Sequence, residues 1–320
     1  MPVTAPASPG KVTPGKVPPG RIVVTGAQGF VGGHLLPTLA DAYPAADMLT
    51  APFDVTDAEA VDAAIAAARP DAVIHLAAIA APMDARRDPG RAWQVNLHGT
   101  LNVARAILAR APTATLLFAG TADAYGASFR PGLPLDETAP LAPQNTYGAT
   151  KAAADLALGA MAAEGLRVIR ARPFNHTGPG QSDAFVVPAF ARQVARIKAG
   201  LQPPVMEVGA LDPERDFLDV RDVCRAYASC LAADLPPGTI LNLASGHPRR
   251  IGDILQSLLD LAGITPEIRT DATRLRPADI PRAVGDATKV RTLLGWSPQI
   301  PWEQTLADVL AAQQPCCTSR

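Results

Sequence analysis

The apolar run Arg21-Ile-Val-Val-Thr25 passes without a spacer into Gly26-Ala-Gln-Gly29-Phe-Val-Gly32, and then into a helical pattern through Leu35, Leu36 and Leu39. A buried strand that feeds a glycine-rich turn and a helix N-terminus makes an anion site for a cofactor pyrophosphate, because the free N–H groups and the helix dipole both face the ligand. The first glycine allows the tight turn, the second lets backbone approach phosphate, and the third lets helix and strand pack closely. The spacing is Gly-x-x-Gly-x-x-Gly rather than Gly-x-Gly-x-x-Gly. Any one of these glycines is explained by a structural turn alone; the strand before and the helix after make that the minority reading.

From Arg21 onward, short apolar runs alternate with longer amphipathic ones. Ala72-Val-Ile-His-Leu76, Thr115-Leu-Leu-Phe118 and Val168-Ile-Arg-Ala171 read as buried parallel strands, with a further strand near Asp47-Met-Leu-Thr50. The stretches Asp57 to Arg69, Arg91 to Arg110 and Asn145 to Glu164 read as crossover helices. Such alternation predicts an α/β fold, a Rossmann-like doubly wound parallel sheet with ligands at the carboxyl ends of the strands. Gly26, Ala77 to Ala80, Thr121 and Pro173 to His176 all fall at those ends. After about Phe174 the rhythm loosens and Pro and Gly accumulate. The expected division is a Pro/Gly-rich disordered tail over 1–20, a nucleotide-binding domain over 21–173, and a smaller C-terminal substrate-binding lobe over 174–320. Val223 to Leu231 is a segment that can return to the first domain.

Composition limits the partners. The chain has 320 residues, 48% of them apolar, with a formal net charge of -1. That suits a packed globular enzyme, and without a basic cluster interleaved with aromatics neither nucleic acid nor an anionic membrane is an expected partner. Cys224, Cys230, Cys316 and Cys317 have no metal-ligand spacing with the histidines and no disulfide framework, so no metal site is expected and reduced cytosolic thiols fit best. No apolar run reaches the roughly 18 residues of a membrane span and no apolar signal core opens the chain, so the expected location is the cytoplasm.

Chemistry enters at Asn145-Thr-Tyr147-Gly-Ala-Thr-Lys151. Spacing of i, i+4 puts phenol and ammonium on one helix face. The ammonium favours phenolate, which lowers a Tyr pKa of about 10 and makes the hydroxyl a usable general acid or base. The pair alone is also what a solvated Lys beside a half-buried Tyr looks like.

Thr25-Gly26-x-x-Gly29-x-x-Gly32, Asp54-Val-Thr, His75-Leu-Ala-Ala78, Asn96, Thr121 and Tyr147-x-x-x-Lys151 together resemble the extended short-chain dehydrogenase/reductases, in order and in spacing, over nearly all of the chain after residue 20. The resemblance implies that Thr121 and Tyr147 bind the reacting carbonyl oxygen, that Lys151 binds the nicotinamide ribose and lowers the Tyr147 pKa, and that Asp54 holds the adenine. It places an NAD(P)H cofactor against Gly26, Gln28, Gly29, Phe30, Val31, Gly32, Asp54, Val55, Leu76, Ala77, Ala78, Asn96, Tyr147, Lys151 and Pro173. Two preplaced hydroxyl donors would stabilise the negative charge that hydride addition puts on oxygen.

The second half narrows the resemblance. Arg172-Pro-Phe-Asn-His-Thr-Gly-Pro-Gly-Gln181, Phe185-Val-Val-Pro188, Arg215-Asp-Phe-Leu-Asp-Val-Arg-Asp222, Arg274-Leu-Arg-Pro-Ala-Asp279, Gly285-Asp-Ala-Thr-Lys289 and Leu294-Gly-Trp-Ser-Pro298 look like the GDP-4-keto-6-deoxy-D-mannose reductases, relatives of GDP-mannose 4,6-dehydratase. That implies a GDP-linked 4-keto-6-deoxy sugar as substrate, bound by Thr121, Asp123, Asn175, Val186, Arg215, Arg276 and Asp279, with GDP-D-rhamnose as product. Forked guanidinium donors suit a diphosphate, and a carboxylate suits guanine or ribose donors. Ala189 replaces a Lys of the dehydratase guanine pocket, which leaves the base open. Ala122 stands where dehydratases carry an acid, with Asp123 beside it, which favours reduction over dehydration. Sugar-nucleotide 4,6-dehydration or 4-epimerisation with tightly held cofactor is the alternative, followed by a noncatalytic cofactor-sensing protein. Ala51-Pro52 offers neither an acid for a ribose hydroxyl nor an Arg for a 2'-phosphate, so NADH and NADPH both remain open. Ala-rich faces on the helices at Arg91 to Arg110 and Asn145 to Glu164 fit a homodimer like that of related extended reductases.

Overall fold

Parallel pairing organises the first half of the chain. The computed structural model describes residues 17–50, 53–271 and 280–313. Strands β1 (Arg21–Thr25), β2 (Asp47–Thr50), β3 (Ala72–His75), β4 (Thr115–Ala119) and β5 (Val168–Pro173) alternate with helices α1 (Phe30–Ala42), α2 (Ala58–Ala68), α3 (Pro82–Arg87), α4 (Pro89–Trp93), α5 (Thr100–Arg110) and α6 (Thr146–Ala163). In the second half come β6 (Asn175–Thr177), α7 (Val186–Lys198), β7 (Val205–Val208), β8 (Glu214–Asp219), α8 (Val220–Ala232), β9 (Thr239–Leu243) and β10 (Pro248–Arg250). They are followed by α9 (Ile251–Ala262), β11 (Glu267–Thr270), β12 (Arg282–Ala283), α10 (Thr288–Leu294) and α11 (Trp302–Ala312).

One six-stranded sheet runs in the order β2-β1-β3-β4-β5-β9, parallel throughout. Successive strand residues point to opposite faces, so each central strand feeds two cores. Ile22, Val24 and Ile74 pack with Leu35 and Leu39 of α1 and Tyr227 of α8 on one face. Val23, Val73, Leu116 and Phe118 pack with Val61, Ile107 and Leu158 of α2, α5 and α6 on the other. This is the α/β doubly wound architecture that the alternation predicts.

Caps fix the helix starts. The Asp57 carboxylate accepts from the N–H groups of Glu59 and Ala60 at 3.1 and 3.0 Å to open α2, and Asn145 Oδ1 accepts from Gly148 N–H at 2.7 Å to open α6. The single helix expected over Arg91 to Arg110 is interrupted. Gln94–Gly99 forms a π-helical turn between α4 and α5. The extra residue in that turn rotates Asn96 fully into the interior, where buried polar partners hold it.

In the second half β8 is the hub, paired with β10 antiparallel and with β12 and β6 parallel, while β7 and β11 form a separate parallel pair. A third core of Val187, Phe190, Val194, Phe217, Ile254, Leu258 and Leu306 lies under α7, α9 and α11. The chain does not stay there: β9 joins β5 in the large sheet, and α8, with Val223 and Leu231, belongs to the core beneath α1. Among the described residues no helix is long and apolar enough to cross a membrane. The tail expected over 1–20 lies almost entirely outside the described residues, as do Ala51, Pro52, Arg276, Asp279, Cys316 and Cys317.

Candidate active site

Because β1, β3, β4 and β5 are parallel, the residues that follow them share one edge of the sheet. The first is the turn after β1. Gly26 has φ 69°, and a Cβ there would lie 2.6 Å from the Ala77 nitrogen, so this turn closes against the loop after β3 only with glycine. At Gly32 a Cβ would strike the Ala27 carbonyl at 2.2 Å, which is the close helix approach that the spacing predicts. Gly29 differs: a Cβ would meet only the Gly26 oxygen, at 3.3 Å. The protein interior does not require glycine at that point, whereas a ligand resting on the turn would. Gln28 and Gly29 are exposed, Phe30 and Val31 half-buried, and no side chain caps α1. The opening N–H groups of this helix therefore fit a pyrophosphate.

Leu76, Ala77 and Ala78 are half-buried along the same edge, and Pro173 is buried at the end of β5. His75, just below, is fully buried between the Thr25 hydroxyl at 2.7 Å and the Thr100 hydroxyl at 3.0 Å. Burial, and then the charge of Lys151, push its pKa down to about 3. This imidazole is neutral and ties the loop after β3 to the sheet.

Thr121 opens the turn after β4 with its Oγ1 accepting from the Asp123 N–H at 3.2 Å, and its hydroxyl lies near enough to the Tyr147 phenol to lower its proton affinity. Gly148 makes that contact sterically feasible, since a Cβ there would lie 2.8 Å from the Asp123 carbonyl. α6 thus enters the site directly against the Thr121 turn. Lys151 follows on the same helix face, 2% exposed, with its Nζ 4.3 Å from the centroid of the Phe118 ring. Burial lowers its pKa to about 7, against the opposing pull of Asp155.

The expected lowering of the Tyr147 pKa is not what the protein alone does. Burial first, and the Asp123 charge second, hold the phenol above its ordinary range, with only the Thr121 hydrogen bond acting the other way. Desolvation of the phenolate is the larger of the two effects that raise it. A phenol that keeps its proton at neutrality is suited to donating one.

Other expected cofactor contacts fall differently. Asp54 is exposed, and its carboxylate already accepts from Thr56 N–H at 2.9 Å, Thr56 Oγ1 at 2.8 Å and Arg91 Nη2 at 2.8 Å. The Thr56 and Arg91 hydrogen bonds bring its pKa down to about 2. Val55 is buried in the core with its carbonyl accepting from the Asn102 amide at 3.0 Å. Asn96 is 0% exposed, and its amide holds Ile79 N–H at 2.8 Å, Ile79 O at 3.2 Å and Thr150 Oγ1 at 2.9 Å. It clasps the loop after β3 to α6 from within the interior.

On the second half, Asn175 is exposed at the start of β6 and Val186 is half-buried at the start of α7. The Arg215 guanidinium donates to the Ile280 carbonyl at 3.0 Å and the Glu214 carbonyl at 2.8 Å, and it lies within the electrostatic reach of Asp123. The structure brings Asp123, Tyr147 and Arg215 together; Arg276 and Asp279 lie outside the described residues, in the segment just before Ile280. Arg91, which pairs with Asp54, has no spacing signal in the sequence. Asp155, four residues beyond Lys151, repeats the i, i+4 step and was open to view there.

Comparisons with known proteins cover almost the whole chain. The family described as GDP-mannose 4,6 dehydratase matches residues 23–309. GDP-6-deoxy-D-mannose reductase of Pseudomonas aeruginosa is 40% identical over 294 residues, 91% of this chain and 96% of that one. The solved structure of RMD from Pseudomonas aeruginosa complexed with NADPH superposes with a TM-score of 0.85 at 39% identity, covering 92% of this chain and 98% of that chain. UDP-glucose 4-epimerase of Thermus thermophilus in complex with NAD gives a TM-score of 0.79 at 27% identity, over 92% of this chain and 99% of that chain. With a glycine turn, a Thr–Tyr hydroxyl pair and a buried lysine on one sheet edge, and this match along almost its whole length, the chain belongs to the GDP-mannose 4,6-dehydratase family of extended short-chain dehydrogenase/reductases.

Proposed function

We propose that the protein is an NAD(P)H-dependent oxidoreductase that reduces the 4-keto group of a GDP-linked 4-keto-6-deoxyhexose, converting GDP-4-keto-6-deoxy-D-mannose to GDP-D-rhamnose. The observation that carries this reading is the neighbouring Thr121 and Tyr147 hydroxyls on the sheet edge that holds buried Lys151, in a chain 40% identical to a GDP-6-deoxy-D-mannose reductase. A reduced nicotinamide, when bound, supplies the hydride. Tyr147 holds the proton that the new alkoxide needs, and Thr121 donates to the same oxygen. Lys151 offers its ammonium to the ribose, the turn at Gly26 to Gly32 grips the pyrophosphate, and Asp54 faces the adenine end. Asn175, Val186, Arg215, Arg276 and Asp279 are assigned to the sugar nucleotide, with Asp123 beside the reacting sugar.

Dehydration needs a base and an acid in addition to these groups. At the strand end Ala122 is a buried alanine, which leaves Asp123 alone. The expected result is that GDP-mannose by itself is unchanged and that GDP-4-keto-6-deoxymannose is consumed with one reduced cofactor oxidised per sugar, with most of this activity kept in Asp123→Asn. Formation of the keto sugar from GDP-mannose without added reductant, lost in Asp123→Asn, would overturn the reductase reading. We further assign the protein to the cytoplasm as a homodimer formed across α5 and α6, where Leu156 stands 61% exposed on α6. Light scattering at assay concentration tests the dimer; a monomer there removes it.

A further inference from the structure

One helical turn beyond Lys151, on the same buried face of α6, lies Asp155, 1% exposed. Two guanidiniums from β5 hold its carboxylate. Arg172 donates Nε at 2.9 Å and Nη2 at 2.8 Å, and Arg170 donates Nη1 at 3.0 Å. Arg172 is itself 3% exposed and donates Nη1 to the Tyr125 hydroxyl at 3.0 Å, which donates to Asn242 Oδ1 at 2.7 Å. Tyr125 directly follows the turn that begins at Thr121. The cluster therefore spans α6, β5, β9 and the reacting turn.

Lys151 needs such a neighbour. Among the described residues its ammonium makes no ion pair, and its surroundings are poor in compensating charge. Neutral His75 lies in its field from β3, and the Phe118 ring faces it from β4. Asp155 is the anion whose field acts on it, while Arg170 and Arg172 take up part of that field. We propose that Asp155 is a positioning residue for Lys151, holding the ammonium charged and in place, and that Arg170 and Arg172 set how strongly it does so.

The two sides of this arrangement act with opposite sign. Asp155→Asn removes the carboxylate's support, so Lys151 loses its proton at lower pH. Arg170→Gln leaves the carboxylate less neutralised, so Lys151 keeps its proton to higher pH. A clamp that serves stability alone has no such opposition.

The inference rests on the assignment of Lys151 to the cofactor ribose and the proton path, and the test uses a readout that needs no sugar. NADPH affinity is measured by fluorescence on the full chain from about pH 6 to 10, beside kcat for the keto sugar. The expected result is an affinity midpoint moved down by about 1 pH unit in Asp155→Asn and up in Arg170→Gln, the range of a single neighbouring charge. The kcat limb moves with it while melting temperatures follow no such order. Midpoints that stay at the wild-type value in both variants, or move the same way, overturn it. If Asp155→Asn does not fold, the direction in Arg170→Gln decides alone. Split midpoints with no turnover of the keto sugar would keep this inference and remove the substrate reading.

Discussion

Tyr147 and Lys151 show how far a side chain's chemistry depends on what surrounds it. Both are ordinary in the sequence, yet burial raises the proton affinity of one and lowers that of the other, so a donor phenol lies one turn from an ammonium with a pKa of about 7. Tyr147→Phe keeps the ring and removes only the proton, so steady-state kinetics should show a turnover loss of roughly 10²- to 10⁴-fold with nearly unchanged sugar-nucleotide affinity. An active Phe variant would remove the proton-donor role. His75 gives a stability prediction of definite sign. Unfolded histidine takes a proton below about 6.5, whereas the buried ring refuses it down to about 3. Its contribution is therefore complete above the unfolded value and is lost as pH falls, by at most about 1.4 kcal/mol per pH unit within that window. Thermal melts from pH 7.5 down to about 5 should fall more steeply for the wild type than for His75→Gln; equal slopes would mean that the ring titrates normally.

Two helices carry the site as elements, and each does so through its first turn. α6 is capped by Asn145, approaches the Thr121 turn through Gly148, and then aligns Tyr147, Lys151 and Asp155 along one face. α1 begins uncapped, which leaves its opening N–H groups for a ligand rather than a side chain. Gly29→Val adds its branched side chain where the fold offers one tight neighbour, the Gly26 oxygen at 3.3 Å, so the variant should still fold and lose NAD(P)H binding in a direct titration. Retained cofactor affinity would place the pyrophosphate elsewhere.

At the scale of the molecule, the chain crosses between its two parts more than once. β9 and α8 return to the large sheet and its core, while β6 and β8 pair in the smaller sheet, from which Phe217 enters the third core. That weaving sets Arg215, on β8, against the edge that carries Asp123 and Tyr147. Arg215 lies away from the reacting carbon in the proposed complex, so Arg215→Ala should raise the substrate Michaelis constant roughly 10- to 100-fold, the worth of a charge-assisted contact of about 1.5–3 kcal/mol, with a smaller effect on turnover. A Michaelis constant unchanged from wild type would move the diphosphate off this strand.

The sequence by itself determined what depends on neighbours along the chain. The β1 turn, the alternation of strand and helix, the Asn145 start of α6 and the Tyr147–Lys151 spacing follow from local periodicity, caps and glycine positions, and the structure has them within a residue or so. It could not show the π-turn that buries Asn96, because that turn answers to Ile79 and Thr150 in other elements. The Arg91 bond to Asp54 spans 37 residues, and Arg172 reaches Tyr125 across 47. Proton affinities were equally out of reach: spacing alone predicts an ammonium lowering the Tyr147 pKa, and tertiary burial, with the Asp123 charge, reversed the sign by desolvating the phenolate. Charge and hydrogen bonding between distant segments are set only when the chain is folded, because desolvation belongs to the enclosure and not to the residue.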